Sequence, residues 1–320
     1  MDGEHFAINK SSEVPANLRS MESWIKEKGE LRAEIWDIEG CYPNLPKESI
    51  RFALRQRLAD TKREYGYEGV WVPKYSDSQP CRWNTRRKNY QFLPFQVLLD
   101  VMEFSLDYAI VKMPDGKLMR QAKGIPMGDP LSPGMTIGAC AWMEGEWMET
   151  IAEKDKQFFR AKRFMDDILL VYAKTSRWDS DMFIRDFQES ECYQKPLKLE
   201  TGTDGTFLET RFEIKENEFE FRLKNDNENG KQKVWRYQHF HSNSPFLQKR
   251  ATLVACLRKV QEMQMASGPH ILYASALAKV EEFRRLRYPL SVLHKTCAYL
   301  GASTGEVAWL DVRDVLRKYR

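Results

Sequence analysis

Arg163-Phe164-Met165-Asp166-Asp167-Ile168-Leu169-Leu170-Val171-Tyr172-Ala173 sets two adjacent carboxylates between runs of strand-forming residues. Arg163 to Met165 and Ile168 to Ala173 read as two apolar strands, with the aspartates at the tip between them. Aspartate is a common turn former, so the pair alone is ordinary. The apolar flanks change its meaning, because a carboxylate pair wedged between buried strands must be solvated or hold a cation.

Two upstream segments bear on that hairpin. Leu31 to Ile38 alternates loosely as a strand that delivers Asp37 at its end. Asn44 and Pro46 then mark a helix entry, and Ile50, Leu54 and Leu58 recur along one helical face. The second segment, Gly124-Ile125-Pro126-Met127-Gly128-Asp129-Pro130-Leu131-Ser132-Pro133, carries two glycines four apart. Glycines so placed let a backbone approach a flat ligand. Ser132-Pro133 reads as an N-cap with proline at the first helical position, opening a helix to about Glu153.

Between these segments, Tyr65, Tyr67, Trp71, Tyr75, Trp83, Tyr90 and Phe92 interleave with Lys74, Arg82, Arg86, Arg87 and Lys88. That mixture suits single-stranded nucleic acid, with bases stacked on rings and cations along phosphates, and equally suits a surface insertion with its own small core. A helix from Pro94 to Leu106 leads into a hairpin turning at Asp115-Gly116. Downstream, an amphipathic helix spans about Trp178 to Cys192. Short strands follow near Leu197, Thr206 to Ile214, Glu218 to Leu223 and Val234 to His239, with a turn at Asn229-Gly230. From Ser244 the pattern is helical, broken near Gly268-Pro269, Tyr288-Pro289 and Gly301.

The whole reads as an α+β chain: a polar segment over 1–30, a sheet-and-helix domain over 31–243 with an insertion at about 61–95, and a helical lobe over 244–320. With 320 residues, 42% of them apolar, a substantial core is affordable. A net charge of +4 is small against 50 basic and 46 acidic residues, so any nucleic-acid footprint depends on where charges lie. Six scattered cysteines form no C-x-x-C pair, which argues against both a zinc ribbon and a disulfide framework and fits a reducing, intracellular setting. No signal peptide and no membrane span are expected.

In order, Asp37-Ile38-Glu39-Gly40-Cys41-Tyr42, the Gly124 to Pro133 segment and Phe164-Met165-Asp166-Asp167 resemble the motifs of the reverse transcriptase family. Those motifs are D-x-x-x-x-[FY], G-x-P-x-G-x-x-x-S-P and [FY]-x-D-D. Within the family the loop is most similar to Penelope-like retroelement enzymes, themselves similar to telomerase. Gly205-Thr206-Phe207-Leu208-Glu209 and His241-Ser242-Asn243-Ser244-Pro245 with Lys249-Arg250 point the same way.

The resemblance implies a right-hand polymerase palm, an antiparallel sheet with packed helices, and a helical thumb. It implies magnesium, or manganese, held at Asp37, Ile38, Asp166 and Asp167, with the three aspartates catalytic. Tyr42, Gly124, Pro126, Met127, Gly128 and Lys198 would meet the nucleotide, with Tyr42 beneath the sugar. Arg250, Arg258 and Lys259 would line the groove for RNA template and DNA primer. Deoxynucleoside triphosphates would be the substrate, because a ring beneath the ribose leaves no room for a 2′-hydroxyl.

Only 36 residues precede Asp37, so the fingers are expected to be largely missing, and the chain reads as a fragment, a split enzyme whose fingers a partner chain supplies, or a degenerate copy. A viral RNA-directed RNA polymerase, or an incomplete palm-and-thumb module that binds nucleic acid, are the competing readings.

Overall fold

The computed structural model describes all residues except 1–4, 76–80, 85–87, 190–191, 203–204, 225–235, 265–268 and 319–320. The chain opens with a helix, α1 (Val14–Ile25), then strand β1 (Glu30–Ile38), a single helical turn α2 (Cys41–Asn44) and α3 (Lys47–Tyr65). A hairpin of β2 (Gly69–Pro73) and β3 (Tyr90–Pro94) leads to α4 (Phe95–Asp107) and a second small hairpin, β4 (Ile110–Lys112) with β5 (Leu118–Arg120). After α5 (Ser132–Thr150) come β6 (Phe159–Phe164), β7 (Asp167–Lys174), α6 (Ser180–Glu189) and β8 (Leu199–Thr201). Strands β9 (Thr206–Phe207), β10 (Thr210–Lys215) and β11 (Glu218–Leu223) form a separate sheet. Helices α7 (Phe246–Gln264), α8 (Pro269–Arg285), α9 (Leu290–Thr304) and α10 (Val307–Arg317) complete the chain.

The central sheet has the order β6-β7-β1-β8, with β7 antiparallel to both of its neighbours and β8 antiparallel to β1. Its middle strand explains the unbroken run Ile168 to Ala173, all of which is buried. Ile168, Leu170 and Tyr172 face one core, made with α3, α4, α5 and α6. Leu169, Val171 and Ala173 face another, made with α1 and the β9 to β11 sheet. A strand covered on both sides has no polar face to show, so alternation vanishes from its sequence.

The segment before Glu30 corrects the expectation of a polar, aperiodic start. Val14, Leu18, Met21 and Ile25 recur at helical spacing and are buried against β1, β7 and β11, with proline in the first turn. Glu22 reinforces this docking by accepting a hydrogen bond from the backbone N–H of Phe219 at 2.6 Å. Residues 5–8 also join the sheet, with Ala7 bridging Arg163.

The last four helices build their own core around Trp309, Phe283, Leu257 and Leu300. The break expected near Gly301 falls four residues later, since α9 continues to Thr304 and ends at Gly305, whose φ is +76°. Gly301 instead lets α10 approach, because a Cβ there would sit 2.8 Å from Leu310. The expected strand through His239 is absent from the described residues 236–240, and the Asn229-Gly230 turn lies outside the described residues. No helix among the described residues is long and apolar enough to cross a membrane.

Candidate active site

Strand register brings the carboxylates together. Asp37 lies directly opposite Asp167 on β7 and opposite Glu200 on β8. Side chains of facing residues in an antiparallel ladder share a face of the sheet, so three neighbouring strands each contribute an acid to one row. The tip of the β6-β7 hairpin is one residue earlier than the sequence suggested: Met165 and Asp166 form the turn, and Asp167 already pairs with Phe164 inside the ladder. Met165 takes a φ of +56°, in the region that side chains rarely adopt. The carbonyl of Asp166 accepts from the N–H of Ile38 at 3.0 Å, tying the turn to the end of β1.

The Asp37 carboxyl is pushed above its ordinary range. Partial burial is the main cause, followed by the negative charges of Asp166 and Glu200. Such crowding is relieved by a cation. Among the described residues, no three acidic, histidine or cysteine side chains close on one point as a ready-made metal cage. An ion on this row would therefore need water or substrate phosphate to complete its shell. Ile38 is fully buried and its side chain is aliphatic, so its backbone carbonyl is the one group through which it could meet an ion.

Tyr42 stands beside this row. Its hydroxyl lies within reach of Thr136 on α5, and burial followed by the Asp166 charge raises its pKa. The Gly124 loop is fastened to the same place, as the N–H of Ile125 donates to the carbonyl of Tyr42 at 2.8 Å. Gly124 has a φ of +64°, and a Cβ there would fall 2.3 Å from the Tyr42 carbonyl oxygen and 2.4 Å from that of Pro43. Its close approach is therefore to the chain's own backbone. Gly128, with a φ of +91°, faces open space, and neighbouring Met127 is 77% exposed. Ser132 departs from the expected cap. It is the first helical residue, and its hydroxyl donates to the Pro126 carbonyl at 2.7 Å, closing the loop on itself. Asp129 braces the loop by accepting from the Leu131 N–H and the Ser105 hydroxyl, both at 2.7 Å.

Lys198 precedes β8, and its carbonyl accepts from the Glu39 N–H at 2.9 Å, extending the β1-β8 pairing by a residue. By alternation its exposed side chain falls on the side that carries Glu200 and Asp37. On the helical lobe, Arg250, Arg258 and Lys259 line one open groove of about 590 Å³ along α7. Arg258 donates to the Tyr299 hydroxyl at 2.8 Å, whereas Lys259 is neutralised by an ion pair with Glu209 in the β9-β10 turn.

Sequence reasoning missed the group beneath the turn. Arg163 and Glu144 are wholly buried and paired. Glu144 also accepts from the Phe6 N–H at 2.9 Å and the Tyr193 hydroxyl at 2.8 Å, and Arg163 donates to the Met165 carbonyl at 2.8 Å. The pairing raises the guanidinium pKa despite burial, so the arginine stays charged. A charged residue three positions before Asp166 was the available signal; Glu144 is one of three glutamates in α5, with Glu146 and Glu149, and the sequence does not single it out. Glu200 gave none, because only the register assigns it.

No family model and no curated protein matches the chain. Solved structures do. Telomerase from Candida albicans, in complex with a TWJ fragment of telomeric RNA, superposes with a TM-score of 0.57 at 16% identity over 97% of this chain and 52% of that one. Telomerase from Candida tropicalis gives 0.51 at 15% identity with the same kind of RNA fragment, covering 96% and 44%, and 0.50 at 13% identity without it, covering 96% and 52%. The chain thus spans about half the length of the telomerase chains it matches, and what it shares with that half is the fold.

Proposed function

We propose that the chain is a nucleic-acid polymerase of the reverse transcriptase type, extending a DNA primer on an RNA template with deoxynucleoside triphosphates. The observation that carries this is the row Asp167-Asp37-Glu200 with Asp166 at its edge, set against Tyr42 and the Gly124 loop. In the reaction the primer 3′-hydroxyl gives up its proton to water, its oxygen bonds to the α-phosphorus, the bond from that phosphorus to the oxygen bridging to the β-phosphate breaks, and pyrophosphate leaves. Magnesium held by Asp37, Asp166 and Asp167 would supply charge neutralisation on the phosphates and a lowered hydroxyl pKa. The protein's own part is placement. Tyr42, anchored near Thr136, offers its ring to the sugar and excludes a 2′-hydroxyl; the loop from Pro126 to Gly128 presents backbone to the base pair; Lys198 offers a cation to the leaving pyrophosphate. Arg250 and Arg258 track phosphates from the helical lobe.

The resemblance of its motifs is what supports reading the chain as nearest Penelope-like enzymes, and the fold shared with telomerase supports the wider reverse transcriptase reading. Because the chain covers about half of those telomerase chains, further protein, in the same polypeptide or a partner, would complete the grip on the triphosphate. The test is primer extension on an RNA template, with and without divalent metal. Extension that needs the metal and disappears in Asp166→Asn supports the reading, and extension surviving that substitution refutes it. Equal use of ribonucleotides would move the assignment to an RNA polymerase.

A further inference from the structure

The insertion between α3 and α4 holds a feature that the polymerase chemistry leaves unused. Tyr65, the last residue of α3, lies parallel to Tyr67, with ring centroids 6.0 Å apart and planes at 16°. Tyr67 in turn lies parallel to Trp83, at 5.5 Å and 9°. Phe95 closes the far end edge-on to Trp83, at 6.3 Å and 82°. The stack therefore has a blocked end and an open one. Tyr65 at the open end is 57% exposed and Trp83 is 48% exposed, so the rings are poorly used as a core. The shape of an offset stack ending in an uncovered ring is that of a column waiting for one more flat aromatic.

Charge identifies the kind of partner. Between Lys62 and Lys88 there are seven basic and three acidic residues, an excess equal to the net charge of the whole chain, so the remaining sequence is neutral on balance. Lys74 and Lys88 stand exposed where β2 and β3 splay apart, joined across the hairpin by the Lys74 N–H to the Asn89 carbonyl at 2.9 Å. Arg82, next to Trp83, is exposed and exchanges backbone hydrogen bonds with Trp71. A protein partner with an apolar surface would not call for this concentration of cations beside the rings. A polyanion with flat, stackable groups does.

We propose that the Tyr65-Tyr67-Trp83 stack is a platform for unpaired bases of a single-stranded nucleic acid, with the Tyr65 ring receiving the first base and Lys74, Arg82 and Lys88 neutralising its phosphates. Base-on-ring stacking is indifferent to base identity, so the site binds single strands without sequence preference and rejects blunt duplex, whose bases are already stacked. It acts without nucleotide or metal and stands independently of the chemistry assigned to the carboxylates.

The experiment measures binding of a 12-nucleotide oligo(A) RNA and of a blunt RNA hairpin closed by a non-nucleotide linker, which has no unpaired base, without divalent metal or nucleotide, over a range of salt. Tyr65→Ala should weaken oligo(A) binding by roughly 5- to 100-fold, the range expected for loss of one stacked base, and leave hairpin binding as it was. Because a ring releases no counterions, its loss should not alter the slope of log affinity against log salt, whereas the double variant Lys74→Gln/Lys88→Gln should flatten that slope. Tyr65→Phe should bind as the wild type does. Should Tyr65→Ala fail to fold, 2-aminopurine in the oligonucleotide reports on the intact protein: quenching on binding that Tyr65→Leu removes upholds the platform. Oligo(A) affinity unchanged in a folded Tyr65→Ala, equal losses on hairpin and single strand, or no 2-aminopurine quenching would each overturn it. Failure of primer extension with Tyr65-dependent binding intact would count against the polymerase reading alone.

Discussion

Arg163 donates from its guanidinium to the carbonyl oxygen of Met165 at 2.8 Å, so a fully buried charge holds the strained residue that precedes Asp166. Burying an ion pair is costly, and apolar residues of the same volume are often no less stable. Here the pair also satisfies the Phe6 N–H, the Tyr193 hydroxyl and the Met165 carbonyl, none of which an apolar substitute would satisfy. Removing one member leaves the other charge uncompensated. Glu144→Met or Arg163→Met should each cost about 3–5 kcal/mol in denaturant unfolding, and the double substitution less than their sum. Losses under about 1 kcal/mol for both single variants would show that the pair is not needed.

The two loop glycines should separate. Gly128→Ala meets only an unfavourable φ and should cost about 1–2 kcal/mol. Gly124→Ala adds overlap with the carbonyls of Tyr42 and Pro43, so it should cost more and should displace Tyr42, lowering nucleotide affinity as well as stability. Urea melts of the two variants side by side give the comparison, and equal losses would contradict the packing described.

Asp37→Asn should remove repulsion from Asp166 and Glu200. Its melting temperature should equal or exceed that of the wild type while primer extension is lost, the trade expected where like charges are held together for function. A clear drop in melting temperature would mean that Asp37 serves the fold.

Leu18→Ala should cost about 2–5 kcal/mol, because Leu18 is completely buried between α1 and the sheets. A loss below about 1 kcal/mol would be the behaviour of a loosely attached segment.

The hairpin, the delivery of Asp37, the helical character of the last quarter of the chain and the Gly124 to Pro133 loop were legible because each rests on local pattern: apolar runs, turn residues and helix starts. What was not legible depends on register and tertiary contact. The tip of the hairpin shifted from Asp166-Asp167 to Met165-Asp166 because pairing with β1 draws Asp167 into the ladder, which neighbouring residue types do not report. Gly124 reads the same whether its missing side chain makes room for a ligand or for Tyr42. Helix α1 is different, since Val14, Leu18, Met21 and Ile25 carried a plain helical period amid polar neighbours. The aromatic insertion had two readings, and the rings do pack on one another as a small core does, while leaving one end open.

In the proposed reaction Asp37 and Asp166 converge on a divalent cation. That convergence is tested most directly by electron paramagnetic resonance of manganese with a chain-terminated primer, its RNA template and a deoxynucleoside triphosphate. The wild type should take up manganese tightly in this complex, and Asp37→Asn and Asp166→Asn, while still folded, should each lose that uptake. Manganese bound equally by the wild type and both variants would contradict the account.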